Sequence, residues 1–186
     1  MLVAEAALGL MEGGRAAADG LDWDALYADQ APRIYNFFRF RLGGQSEVED
    51  LTARTFEKAW RSRATYRADL AAFSTWLFTI ARNVAIDHLA ARRLHVPLEE
   101  AAHVATEGTP EREIERGSDL ARLATLTAVL PERERELIAL KYGAELSNRM
   151  ISKLTGLSES NVGTILHRTV RALRTQWYAD EAADHE

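Results

Sequence analysis

Residues Leu146 to Arg174, LSNRMISKLTGLSESNVGTILHRTVRALR, constrain this chain more than any other segment. A short helical run bearing Met150, Ile151 and Leu154 reaches Gly156, and Ser158 then opens a second helix with Val162, Ile165, Leu166, Val170 and Leu173 as its apolar side. Glycine takes up the left-handed backbone of a tight turn without steric penalty. Serine is a good N-cap because its hydroxyl accepts from an otherwise unpaired backbone N–H. The second helix sets Arg168, Arg171 and Arg174 against a single acid, Glu159. Two short helices around a glycine turn, the second one basic, form the pattern of a helix-turn-helix that reads duplex DNA. An ordinary helical hairpin with a solvated basic face has the same local pattern, so the rest of the chain has to decide between them.

Helical periodicity recurs along the chain, whereas sustained period-2 runs of β-branched residues are lacking, so the fold class is all-α. Trp23, Leu26, Tyr27, Ile34, Tyr35, Phe37 and Phe38 suggest two helical stretches meeting near Pro32, the second broken by Gly43-Gly44. Ser46 and Glu49 have the spacing of a capping box ahead of the next helix. That helix has an unusually complete stripe in Val48, Leu51, Thr52, Thr55, Phe56, Ala59 and Trp60. After Tyr66 and Phe73 a further helix is expected from Thr75 to Arg93, burying Leu77, Ile80, Ala81, Val84, Ala85 and Leu89. From Leu94 to Ser118 the chain turns Glu-rich, includes Pro97, Gly108, Pro110 and Gly117, and loses its aromatics. This reads as a tether with a short helix near Glu111 to Arg116. Periodicity returns at Leu120, Leu123, Leu126 and Leu130, and Pro131 suits a first helical turn that Glu132 and Glu134 favour. Gly143 ends that helix. The expected architecture is two small helical domains, 21–95 and 119–178, joined by an acidic linker over 96–118. Tails occupy 1–20 and 179–186, the first expected to be disordered.

Charge qualifies the DNA reading without removing it. The chain of 186 residues carries a net charge of −5, yet residues 97 to 119 concentrate seven Asp and Glu against two Arg. Distribution therefore matters more than the sum. Few phosphates would be neutralised by the chain alone, so weak non-specific binding is expected. The absence of cysteine excludes disulfides, thiolate metal sites and a thiol nucleophile. Leu2 to Leu10 is apolar but lacks a basic start and is interrupted by Glu5, so neither a secretory signal nor a membrane span is expected. A cytoplasmic location follows as the expectation. The five histidines (88, 95, 103, 167 and 185) do not fall at metal-ligand spacings, and Gly13-Gly14 and Gly43-Gly44 lack the partners of a phosphate loop. Neither a catalytic residue, a metal nor a cofactor is expected, and an enzyme is disfavoured.

A second block, FSTWLFTIARNVAIDHLAARR from Phe73 to Arg93, carries chemistry of its own. Thr79, Asn83 and Asp87 at i, i+4, i+8 share a helix face opposite the apolar stripe, with Arg82, His88, Arg92 and Arg93 adding donors nearby. Asn and Arg can bond base edges or phosphates. Tyr66, Phe73 and Trp76 could stack on an unpaired base, although filling the core is the more ordinary use of such rings.

Three blocks in order, EDLTARTFEKAW (Glu49 to Trp60), TWLFTIARNVAIDHL (Thr75 to Leu89) and LPERERELIALKY (Leu130 to Tyr142) running into the helix-turn-helix, resemble bacterial sigma factors of the extracytoplasmic-function group. That compact class keeps only sigma regions 2 and 4, and the resemblance spans about Trp23 to Trp177. It implies an RNA polymerase sigma factor that directs promoter-specific initiation. Its partners would be core RNA polymerase and promoter DNA, with an anti-sigma factor as a further partner common in the family, and neither a small-molecule substrate nor membrane insertion. Glu49, Asp50, Arg54, Glu57 and Lys58 would face the polymerase clamp. Tyr66, Arg67, Thr79, Arg82, Asn83, Asp87, Arg92 and Arg93 would meet the −10 element, Asn83 near a flipped base. Ser158, Ser160, Asn161, Thr164, His167, Arg168 and Arg171 would read the −35 element. The acidic linker would track a basic channel of the polymerase near the RNA exit path.

The chain departs from the family pattern in places. Ala53 and Arg54 stand in DLTARTF where the family usually writes DLTQETF, Met150 replaces a common Glu, and Gly163 and Ile165 stand where a Lys and an Arg are frequent. Two other readings remain: a stand-alone helix-turn-helix repressor or activator, which leaves the first domain's matches unexplained, and a sigma mimic that only binds an anti-sigma factor.

Overall fold

The computed structural model describes residues 22–42, 47–95 and 119–183. Among these there are seven α-helices, a 3₁₀ turn, a π-turn and no strand. The first half holds α1 (Trp23–Leu42), α2 (Val48–Arg61), the 3₁₀ turn Arg63–Thr65 and α3 (Phe73–His95). The second half holds α4 (Asp119–Ala128), α5 (Glu132–Ile138), the π-turn Ala139–Gly143, α6 (Asn148–Thr155) and α7 (Glu159–Ala183). The expected N-terminal tail, the acidic linker and its short helix lie outside the described residues. At the other end, α7 continues to Ala183, so residues 179–183, expected as tail, are helical.

α1 corrects one expectation: it is a single helix that runs through Pro32. A proline inside a helix removes one backbone donor and crowds the carbonyl four residues earlier. Here both Pro32 and Ala28 are exposed, so the freed carbonyl faces water. Both ends of the helix are meanwhile held by packing. Ile34, Phe37 and Phe38 are fully buried, while Trp23 and Leu26 pack against the core from the N-terminal end.

α2 buries the expected stripe through Val48, Leu51, Thr52, Thr55 and Ala59. The buried hydroxyls are satisfied by their own helix, Thr52 donating to the Val48 carbonyl at 2.7 Å and Thr55 to that of Leu51 at 2.8 Å. The helix has Glu47 as its N-cap, without a side-chain cap bond, and Ser46 of the expected capping box lies outside the described residues. Glu47 instead turns to α3, 2.9 Å from His88 and 3.8 Å from Arg92. α3 supplies Leu77, Phe78, Ala81, Val84 and Ala85, all nearly or fully buried. Around its start, Trp23, Trp60, Tyr66, Phe73 and Trp76 form a chain of edge-on and tilted rings 5.2–5.6 Å apart. Pairs in this geometry add about 0.5–1.5 kcal/mol each beyond their buried area.

In the second half Pro131 is the N-cap of α5 rather than part of its first turn. The helix widens into the π-turn, where the Ala144 amide bonds the Ala139 carbonyl at 2.9 Å and the Leu146 amide that of Leu140 at 3.0 Å. Leu137, Leu140, Leu146, Ile151 and Val162 make its core. The two halves pack against each other: α1 makes its broadest contact with the π-turn, and α3 touches α6. Gly143 permits that approach. A Cβ there would stand 2.8 Å from the Asn36 carbonyl oxygen, closer than real atoms come.

Candidate functional site

The helix-turn-helix forms where the sequence places it. Ser147 caps α6 by accepting from the Met150 amide at 3.3 Å, and Gly156 closes the helix at φ +75°. Ser152 then donates to the Leu157 carbonyl at 2.5 Å, which ties the turn to α6. Ser158 accepts from the Asn161 amide at 3.2 Å and so starts α7. Val162, Leu166 and Leu173 point inward, whereas Ser158, Ser160, Asn161, Thr164, His167, Arg168 and Arg171 are all exposed. Arg168 and Arg171 border an open groove against Leu130, Pro131 and Ile165. Arg149 and Lys153 on α6, which sequence reasoning passed over, are exposed too. The concentration of cations on α6 and α7 gives this end of the molecule the charge that phosphate contacts need.

The residues expected at the −10 element divide into two groups. Thr79, Asn83 and Asp87 are exposed on one side of α3 as their spacing requires. Thr79 returns its hydroxyl to the Thr75 carbonyl at 2.9 Å, and Asp87 pairs with Lys58 across to α2 at 3.3 Å. Arg92 is exposed near Glu47, and the side chain of Arg93 lies outside the described residues. Arg67 is engaged in the loop, holding Asp69 bidentately at 2.7 and 2.8 Å. This bond pushes the Asp69 carboxyl below and the Arg67 guanidinium above their ordinary pKa values.

Tyr66 takes the core position that is the more ordinary use of such rings. It is 4% exposed, its ring lies between Phe73 and Trp76, and its hydroxyl donates to the Ala71 carbonyl at 3.2 Å. Burial raises its pKa above that of a free phenol. A ring enclosed in this way offers no free face to a base. Phe73 and Trp76 belong to the same cluster, Phe73 9% exposed and Trp76 half-buried.

On α2 the outward residues Glu49, Asp50, Arg54 and Glu57 are exposed and Lys58 is half-buried beneath its pair with Asp87. Glu57 pairs with Arg61 one turn on at 2.7 Å. The aromatic end of this face is open as well: Trp60 is 49% exposed with the Arg63 guanidinium 4.1 Å from its ring centre.

Arg82 behaves differently from its neighbours. It is half-buried and bonds Glu136 of α5 at 2.7 Å, a residue of the opposite half. Arg41 does the same with Glu132 at 3.0 Å while only 3% exposed, and Arg33 donates to the Ala144 carbonyl at 3.0 Å. Arg135, also on α5, bonds the Ala128 and Leu130 carbonyls, and burial, then the neighbouring Arg41 charge, lower its pKa. Two guanidinium nitrogens here, Arg41 Nη1 and Arg135 Nε, are buried without a hydrogen-bond partner among the described residues. Sequence reasoning missed this contact entirely. Its one signal is the i, i+4 spacing of Glu132 and Glu136, which puts two carboxylates on one face of α5.

Two family models match the chain, Sigma-70 region 2 over residues 26–94 and Sigma-70, region 4 over residues 120–173. The chain is 30% identical to the ECF RNA polymerase sigma factor RpoE of Cereibacter sphaeroides over 166 residues, 88% of this chain and 89% of that protein. It is also 30% identical to the ECF RNA polymerase sigma factor BldN of Streptomyces coelicolor over 80% of this chain, but spans only 57% of that protein's length. Among solved structures, CnrH in complex with the cytosolic domain of CnrY superposes with a TM-score of 0.67 at 23% identity, covering 91% of this chain and 97% of that one, which establishes a shared fold. With both halves matched and a relative aligned along nearly its whole length, the chain belongs to the extracytoplasmic-function family of RNA polymerase sigma factors.

Proposed function

We propose that this sigma factor binds core RNA polymerase through the outward face of α2, with Glu49, Asp50, Arg54, Glu57 and Lys58 at the contact. It addresses the two promoter elements with its two halves. The start of α7 enters the major groove of the −35 element, where Ser160, Asn161, Thr164 and His167 meet base edges and Arg168 and Arg171 meet phosphates or guanine. The exposed side of α3 meets the −10 element, with Asn83 offering amide bonds to an unstacked base. Such capture offsets the few kcal/mol of unstacking only if hydrogen bonds and shape both contribute. Tyr66 acts in this account as the floor of the loop rather than as a stacking face, and Arg67 is restrained by Asp69.

The observation that carries the reading is the sidedness of α7: a capped helix start with Val162, Leu166 and Leu173 buried and Ser160, Asn161, Thr164, His167, Arg168 and Arg171 exposed. Both halves are tethered to one polymerase, so the second DNA contact is effectively intramolecular, and two modest interfaces suffice. Sigma factors act as initiation factors rather than as catalysts, and this one needs no catalytic residue or cofactor. It works in the cytoplasm, where polymerase and chromosome meet. The sigma factor RpoE of Bartonella quintana was solved in complex with the anti-sigma factor NepR, and we extend that kind of partnership to this chain.

Run-off transcription with purified core polymerase tests the assignment. Promoter-specific transcripts are expected, lost in a variant carrying Asn83→Ala and Arg171→Ala. Protection of a palindrome by the chain alone, with no stimulation of polymerase, would instead establish a self-sufficient repressor.

A further inference from the structure

The start of α7 carries a gap in its outward surface. At about 100° per residue, Gly163 lies about 40° around the helix from His167 and about 60° from Ser160, on the flank of the exposed face and not at its centre. Gly163 is half-buried, and the nearest atom to a Cβ placed on it is Nδ2 of Asn148, the first residue of α6, at 3.5 Å. Neither a left-handed backbone nor crowding explains a glycine here. Asn148 is as unusual. Among the described residues its carboxamide makes no hydrogen bond, and its Oδ1 is buried without a partner. A buried acceptor left unpaired costs stability, so the fold gains nothing from this amide. Two residue types that the fold does not call for thus meet at one point, beside the side chains that face DNA.

We propose that Asn148 is a positioning residue for the −35 duplex: its side-chain N–H donates to a DNA backbone phosphate, and Gly163 is the opening through which that phosphate reaches it. The inference rests on the reading of α7 as the helix in the major groove and adds to it a contact from α6. Residues at the centre of such a helix meet base edges, whereas those on its flank meet the groove wall, where the phosphates stand. With Oδ1 turned inward, Nδ2 is the atom left at the opening. A carboxamide nitrogen only donates and a phosphate oxygen accepts, so the two are complementary. Such a bond needs its heavy atoms about 2.9 Å apart. A methyl 3.5 Å from the same nitrogen would stand in that approach, and any longer side chain would close it. Arg149, next in the chain and exposed, supplies a cation that draws phosphate to this edge without making the directed bond.

The test uses holoenzyme assembled from core polymerase and the full chain, with a promoter duplex that the parent selects from a library randomised at the −35 element. Asn148→Ala is expected to weaken promoter binding about tenfold, the worth of one hydrogen bond to a charged acceptor, and to do so evenly across −35 sequences. Gly163→Ala is expected to weaken it by a similar factor and the double variant no further, because both changes remove one contact. Each single variant should unfold at no lower denaturant concentration than the parent, which separates a lost contact from a damaged fold. Arg149→Ala should flatten the dependence of binding on salt, whereas Asn148→Ala leaves that slope unchanged. Replacing the −35 phosphates one at a time by methylphosphonate should locate a single position that weakens the parent more than it weakens Asn148→Ala. Parent-like binding by Asn148→Ala, a changed base preference in its library, or additive losses in the double variant would overturn the proposal. If the reading of α7 is itself wrong, Arg171→Ala will bind as the parent does; if only the Asn148 contact is wrong, Arg171→Ala still loses affinity.

Discussion

Gly163 stands half-buried on α7 with the Asn148 amide nitrogen 3.5 Å from where a methyl would sit, an ordinary contact distance. Its backbone is helical, so neither sterics nor conformation requires glycine. Gly163→Ala should therefore stabilise the chain by about 1 kcal/mol, read as a shift in the denaturant midpoint. If −35 binding falls in the same variant, the missing Cβ is serving the DNA interface rather than the fold. Gly156 is the opposite case: at φ +75° a side chain is strained, and Gly156→Ala should destabilise by about 1 kcal/mol or more. Tyr66 gives a residue-level prediction in pH. Burial raises its pKa, so the folded chain holds the phenolic proton more tightly than the unfolded chain does. Its contribution to stability is complete below the ordinary phenol value and is lost as pH rises through the folded one. Alkaline unfolding followed by tyrosinate absorbance should show this slope, and Tyr66→Phe should flatten it.

At the scale of the element, α1 is held together by packing against its own chemistry. Pro32→Ala restores one backbone bond and relieves the crowding at Ala28, so a gain of about 1–3 kcal/mol is expected in thermal unfolding, with no change in the core it carries. The sequence reading split this helix because a proline is a strong local signal, whereas the burial of Ile34, Phe37 and Phe38 is decided by distant partners that no window of residues contains. The helix-turn-helix was legible for the converse reason. Its caps, its glycine and its apolar spacing are all local, and Ser147, Gly156 and Ser158 do in the structure what their residue types dictate. The polar face of α3 was legible as a face, since i, i+4, i+8 spacing fixes which side of the helix Thr79, Asn83 and Asp87 share. The fates of Arg82 and Tyr66 were not: one is claimed by a carboxylate from the other half and the other by neighbouring rings. The pairing of Glu47 with His88 and Arg92 was not legible either, because its partners come from a helix some forty residues on.

For the molecule as a whole, the described halves make one packed body, α1 resting on the π-turn and α3 touching α6. Arg82→Ala would leave Glu136, only 12% exposed, without its partner. Breaking a largely buried pair from one side is costly, so destabilisation of about 1–3 kcal/mol is expected. Loss of any cooperative link between the halves should accompany it, seen as two unfolding transitions where the parent shows one. The placement of the indoles makes such a separation visible. Trp23, Trp60 and Trp76 all sit in the ring cluster of the first half, whereas Trp177 stacks against Arg122 at 4.3 Å in the second. Intrinsic emission is therefore partitioned by half without any dye: replacing Trp177 by phenylalanine leaves a signal that monitors only the first half, and the difference spectrum follows the other.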